Sequence, residues 1–172
     1  MDVTDANAMF STGAYLRKEQ PMPSRQSLIK FNREEREQFL NKNLKAALAT
    51  LDKNGFPHVV AMNYFYIDGA IYMTSYGKAQ KVVNIRRNSK VGVMVETGRS
   101  YGELQGVLVR GHCQIIEDPE QVRQSLRAIG QRQGERSGVP REATDSMPKR
   151  VVLKIVPEKI TSWDHTKLGG RY

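Results

Sequence analysis

At 172 residues, 39% of them hydrophobic, the chain suits one domain with or without arms, and no apolar run nears the roughly 20 residues of a membrane-crossing helix. Met1–Gln20 lacks the basic start and apolar stretch of a secretion signal, and the single cysteine, Cys113, excludes an internal disulfide; a cytoplasmic setting without structural zinc follows. Lys and Arg outnumber Asp and Glu by 27 to 18, a formal +9, yet no basic block, zinc-finger or RNA-recognition signature appears, so the charge suits an anionic small molecule rather than nucleic acid.

Residues 1–27, with Pro21, Pro23 and little periodicity, read as an arm, partly helical near Met9–Leu16, that either stays loose or embraces a partner subunit. Residues 28–172 form the domain. Its first helix starts at Asn32, which can cap the orphan amides while Glu35 completes a capping box, and it turns Phe39 and Leu40 inward. The period then changes. Leu44–Leu51, His58–Ile67 and Ala70–Ser75 are strands separated by the turns Asp52–Gly55 and Asp68-Gly69, which makes an antiparallel meander.

Lys78–Asn88 brings Val82, Val83 and Ile85 together as a short helix. Lys90–Glu96 and Leu104–Glu117 are strands, with Gly111 marking a bulge or a close approach. Asp118 and Pro119 open a helix to about Gln133, a Gly- and Pro-rich loop spans Gly134–Pro148, and Arg150–Val156 is the last strand before a polar tail. Crossover helices between successive strands are missing, so a doubly wound parallel sheet is excluded. The expected fold is mainly β with peripheral helices, a six-stranded antiparallel barrel.

Thr74-Ser75-Tyr76-Gly77-Lys78-Ala79-Gln80-Lys81 carries the clearest chemistry. Two hydroxyls end a strand, a glycine permits close approach and lysines open a helix, a combination that suits a phosphate. The spacing is not that of a P-loop, and a polar strand end with surface lysines is an equal reading of the same residues. His58, His112 and His165 have no metal-ligand spacing, and no metal site is expected. His165 is the more plausible proton donor of the three, although an ordinary surface imidazole is the commoner case. Cys113 reads as a small buried hydrophobe, and Tyr64, Phe65, Tyr66 and Tyr72 as packing residues.

The stretch PHVVAMNYFYIDGAIYMTSYGKAQKVVNIRRNSKVGVMVE resembles the cofactor-binding core of the pyridoxamine 5'-phosphate oxidase-like split-barrel superfamily, in particular its flavin/deazaflavin-dependent oxidoreductase branch. Leu104-Gln105-Gly106-Val107 and the tail Ser162–Gly169 resemble later blocks of that family, so the likeness spans residues 33–169. It implies an FMN-binding split barrel, or one that binds the deazaflavin coenzyme F420, working as a homodimer with its sites between subunits. By this resemblance the backbone of Val60, Ala61, Met62 and Asn63 lies along the flavin ring. Thr74, Ser75 and Lys81 hold the cofactor phosphate with Lys78 and Gln80 nearby, and Gln105, Gly106 and Trp163 line the subunit interface, Trp163 reaching the partner's cofactor.

The chain also departs from the family pattern. Pyridoxine-phosphate oxidases use a lysine after the second strand for substrate phosphate, where this sequence has Asn63 and Tyr64. The tail has no Arg-x-His pair, and Ala79 stands where relatives often carry serine. Pyridoxine-phosphate oxidation is therefore not expected. Hydride transfer to or from another small molecule is, with a non-catalytic flavin carrier or sensor as the alternative; the substrate and the catalytic residues stay open.

Overall fold

A capping box is present at Asn32, whose side chain accepts from the Glu35 amide at 2.9 Å while the Glu35 carboxylate accepts from the Asn32 amide at 2.7 Å. The computed structural model describes residues 24–137 and 149–169. The pattern near Met9–Leu16 lies outside them, as do residues 138–148 and 170–172. A one-turn helix α1 (Arg25–Leu28) straddles the expected boundary between arm and domain and leads into α2 (Arg33–Lys42), which buries Phe39 and Leu40. The chain then runs through β1 (Lys45–Leu51), β2 (Pro57–Asn63), β3 (Phe65–Ile67), β4 (Ala70–Tyr76), α3 (Gln80–Arg87), β5 (Lys90–Thr97), β6 (Gln105–Ile116), α4 (Pro119–Ser137) and β7 (Arg150–Asp164).

All the strands join one antiparallel sheet in the order β2-β1-β5-β6-β7-β4-β3. The two edge strands, β2 and β3, are consecutive in the chain with only Tyr64 between them. The sheet therefore curls to bring its two edge strands together at Tyr64, which makes a split barrel with seven strands among the described residues rather than the expected six.

The extra strand comes from the break at Tyr64. In the sequence His58–Ile67 is one unbroken apolar run, but Tyr64 is fully buried, its amide bonds the Leu44 carbonyl at 3.1 Å and its phenol donates to the Leu40 carbonyl at 2.7 Å. Those two bonds pull one residue out of the ladder and bend the strand. A second difference is at the other end of the chain. β7 continues through Pro157 to Asp164 where a polar tail was expected, because β6 is long enough to pair with it throughout.

The barrel interior holds Leu40, Leu48, Ile71, Met73, Val82, Val93, Val95, Val107, Val109, Leu153 and Ile155, all fully buried. Each such side chain contributes about 1.5–3 kcal/mol of burial. Val122 and Ile129 of α4 are also buried but stand apart from that core, as does Val152 of β7. α4 lies against β7, so these residues make a second, smaller apolar layer on the outside of the sheet.

β6 and β7 are interrupted once. Arg110 pairs with Lys159 and Gly111 with Pro157, which leaves Glu158 without a partner. A Cβ at Gly111 would lie 2.1 Å from the Val156 carbonyl oxygen, so only glycine fits the bulge.

Candidate cofactor site

The break at Tyr64 opens a seam. β3 pairs with β4 in the register Phe65↔Tyr72 and Ile67↔Ala70. Continued, that ladder would set Asn63 opposite Thr74 and Ala61 opposite Tyr76. Instead β2 departs to pair only with β1, and the facing edges of β2 and of Met73–Tyr76 are left without strand partners. Unpaired strand edges present a row of backbone donors and acceptors. β2 and β4 still touch, so the seam is a narrow fork with Tyr64 near its closed end.

The residues singled out in the sequence divide by face. On β2, Ala61 and Asn63 are exposed, whereas Val60 and Met62 pack against the core. On β4, Thr74 is half-buried on the outer face with Tyr72 and Tyr76, while Ser75 is turned inward, 5% exposed, with only a long 3.5 Å contact to the Tyr76 carbonyl. Successive side chains on a strand point to opposite faces, so the two hydroxyls are not aimed at one point. A ligand on the outer face would meet the Thr74 hydroxyl but only the backbone of Val60, Met62 and Ser75.

α3 starts just beyond the fork. Its N-cap, Ala79, has no side chain to bond the first amides, which leaves them for another acceptor. The neighbouring cations split into two groups. Arg86 donates to the Gly77 carbonyl at 3.0 Å and forms an ion pair with Glu117, and Arg87 donates to the Leu51 carbonyl at 2.6 Å. Both hold structure together. Lys78 (exposed) and Lys81 (half-buried) pair with no carboxylate among the described residues.

The position of α3 is fixed by Asn84, which is fully buried. Its amide donates to Thr50 Oγ1 at 3.0 Å and its carbonyl accepts from Gln80 Nε2 at 2.9 Å. Gln80 therefore spends its amide nitrogen on the helix's own anchor. Sequence reading missed one further residue, Arg150, whose Nη1 lies 3.4 Å from Thr74 Oγ1. The two are separated by 76 positions, and no local pattern links them.

Gln105, Gly106 and Trp163 meet elsewhere. Gly106 pairs with Trp163 and Gln105 with Asp164, and a Cβ at Gly106 would sit 2.2 Å from the indole, which therefore lies flat on the glycine. Thr74 pairs with Val152, eleven residues earlier on β7. At roughly 3.3 Å per residue, about 35 Å of strand separates Trp163 from the fork of its own chain. The sheet's outer face between them is made of small and apolar side chains: Ala61, Ala47, Met94 and Leu108 form one row across β2, β1, β5 and β6, with Val59 and Ala49 beside it. Val59 is 58% exposed and Met94 38%.

The remaining candidates resolve simply. Burial pushes the Cys113 thiol up to about 12, as fits a core residue. Glu103 accepts from the Arg99 amide at 3.2 Å, and this bond with those from Ser100 holds its carboxyl below the usual range; it fastens a loop. His112 bonds Ser89, and His58 lies near Thr50. The His165 ring stands edge-on to Tyr101, 4.4 Å between centroids, with its Nδ1 buried and unbonded. Among the described residues no group of three or more His, Cys, Asp or Glu could hold a metal, and no helix is long and apolar enough to cross a membrane.

Comparison with known proteins agrees with this architecture. The sequence profile described as pyridoxamine 5'-phosphate oxidase matches residues 33–164. None of the curated protein sequences matches the chain. Among solved structures, a conserved hypothetical protein, Rv2991 from Mycobacterium tuberculosis, is 35% identical with a TM-score of 0.75, over 87% of this chain and 95% of that one. An F420 reductase is 26% identical with a TM-score of 0.55, over 73% and 95% of the two chains. An FAD-binding protein from Mesorhizobium loti, 23% identical with a TM-score of 0.59 over 77% and 94%, shares the fold. With the profile covering well over half of the chain, this chain belongs to the pyridoxamine 5'-phosphate oxidase family.

Proposed function

We propose that the protein is a homodimeric, cytoplasmic flavin-binding oxidoreductase that takes FMN, or the deazaflavin coenzyme F420, in the fork between β2 and β4. The observation that carries this reading is the fork itself. Two unpaired strand edges run into an uncapped helix start beside two cations without carboxylate partners, Lys78 and Lys81. A planar ring can lie along a strand edge, and a phosphate is drawn to free helix amides and ammonium groups. The likeness to an F420 reductase supports a cofactor of this type.

When bound, such a cofactor supplies the hydride chemistry, while the protein binds and orients it. In this arrangement Lys81 and the first amides of α3 neutralise the phosphate. The backbone from Val60 to Asn63 fixes the ring along β2. The outer apolar face, closed against a second copy, excludes water from the ring. Trp163, far from its own fork, covers that of the partner subunit, flanked by Gln105 and Gly106.

The test is an optical titration of the purified protein with FMN and with coenzyme F420, followed by addition of reductant. Saturable binding at one cofactor per chain is expected. Lys81→Ala should weaken it about tenfold or more, since a charge-assisted contact contributes roughly 1.5–3 kcal/mol. Binding of neither cofactor would end this reading. Tight binding without turnover by any reductant would make the protein a carrier.

A further inference from the structure

Arg150 opens β7 directly opposite Tyr76 of β4. Its guanidinium carbon stands 4.9 Å from the centre of the Tyr76 ring, and Nη1 is 3.4 Å from the Thr74 hydroxyl. No carboxylate among the described residues pairs with it. A contact of 3.4 Å is long for a hydrogen bond, so most of the five guanidinium donors are unspent. The ring holds the group in place without consuming those donors, because a cation–π contact uses the flat face and leaves the N–H edges free.

Position adds to this. Thr74 and Tyr76 share the outer face of β4, and the broken ladder would have set them opposite Asn63 and Ala61. Arg150 therefore stands on the β7 side of the fork, while Lys81 lies in the first turn of α3, which starts just beyond it. A planar donor fork matches two oxygens of one phosphate, which a lysine cannot do.

We infer that Arg150 is a phosphate ligand of this site and sets its preference for the phosphorylated cofactor over the same ring without phosphate. The inference rests on the reading of the fork as a cofactor site. Thr74, held between Arg150 and the fork, would donate its hydroxyl to the same group.

The experiment compares FMN with riboflavin, which has the same ring and no phosphate, by fluorescence titration of the full-length protein and of Arg150→Ala and Arg150→Lys. The parent should bind FMN the more tightly. Arg150→Ala should lose about tenfold or more in FMN affinity and leave riboflavin binding within about twofold, so that the preference collapses. Arg150→Lys should restore part of it, because the charge returns without the planar fork. An unchanged melting temperature without ligand shows that the variants fold.

Equal losses for FMN and riboflavin, or no loss for either, would overturn the inference and leave the site reading intact. Should the parent bind neither flavin, coenzyme F420 and its dephosphorylated deazariboflavin core take their places under the same criteria. Failure of the parent with both pairs would remove the site reading and the inference together.

Discussion

Cys113 shows how far one residue can be read. A lone cysteine within a strand pattern suggests a buried hydrophobe, and it is one, with burial pushing its thiol up to about 12. The thiolate is the reactive form, so at pH 8 the native protein should react with a thiol reagent only as fast as it opens. Fast labelling without denaturant would contradict this placement. Thr74 and Ser75 were legible as chemistry but were grouped too closely. The two-residue period of a strand already separates their side chains, and the structure puts one outside and one inside. Arg150 was not legible at all, because the register of β7 on β4 is a long-range choice that no neighbouring residue signals.

Among the elements, α3 depends on a polar anchor as well as on its apolar face, Val82 and Ile85. Replacing Asn84 with Leu removes the bonds to Thr50 and Gln80 and leaves buried polar groups unpaired. A loss of about 1–3 kcal/mol in urea unfolding is expected, with weaker flavin binding alongside, since the same helix carries Lys81. If stability is unchanged, the anchor is not what holds the helix. At the other end of the chain, the Lys167 ammonium, 2.6 Å away, is the main cause that keeps the Glu35 carboxyl below its ordinary range, with the Asn32 amide adding to it. A carboxyl lowered in the folded state stabilises fully above its unfolded value and less as pH falls through the folded one. The docked tail should therefore loosen in acid, below the usual glutamate range, visible as faster amide exchange around residue 166, by a small margin because both groups face solvent. The elements themselves were largely legible from turn residues and caps. Tyr64 was not, because a buried aromatic looks the same in a sequence whether it continues a strand or breaks it.

For the whole molecule, the outer face made by Ala47, Ala49, Val59, Ala61 and Met94 asks for a cover, and a second copy supplies one in the reading proposed above. Sedimentation should give a dimer. Met94→Glu should shift it towards monomer and lower flavin affinity while leaving the circular dichroism unchanged, since the side chain points away from the core. A monomeric parent that binds flavin fully would remove the two-chain site. The mainly β barrel followed from strand content and missing crossover helices. Its closure could not be counted correctly, because the number of strands turned on a single kink.

The unpaired Glu158 has an effect that reaches beyond its own loop of backbone. It changes which side chains of β7 face outward, from even-numbered before the bulge (Lys154, Val156) to odd-numbered after it (Lys159, Thr161, Trp163). Arg150 and Trp163 stand thirteen positions apart, an odd spacing that an unbroken strand would turn to opposite faces; with Glu158 set aside in the bulge the spacing becomes even and both side chains share the outer face. The bulge, where Glu158 makes a 3.6 Å contact with His112, thus takes up the odd residue and lets one continuous strand present groups on the same side near both of its ends.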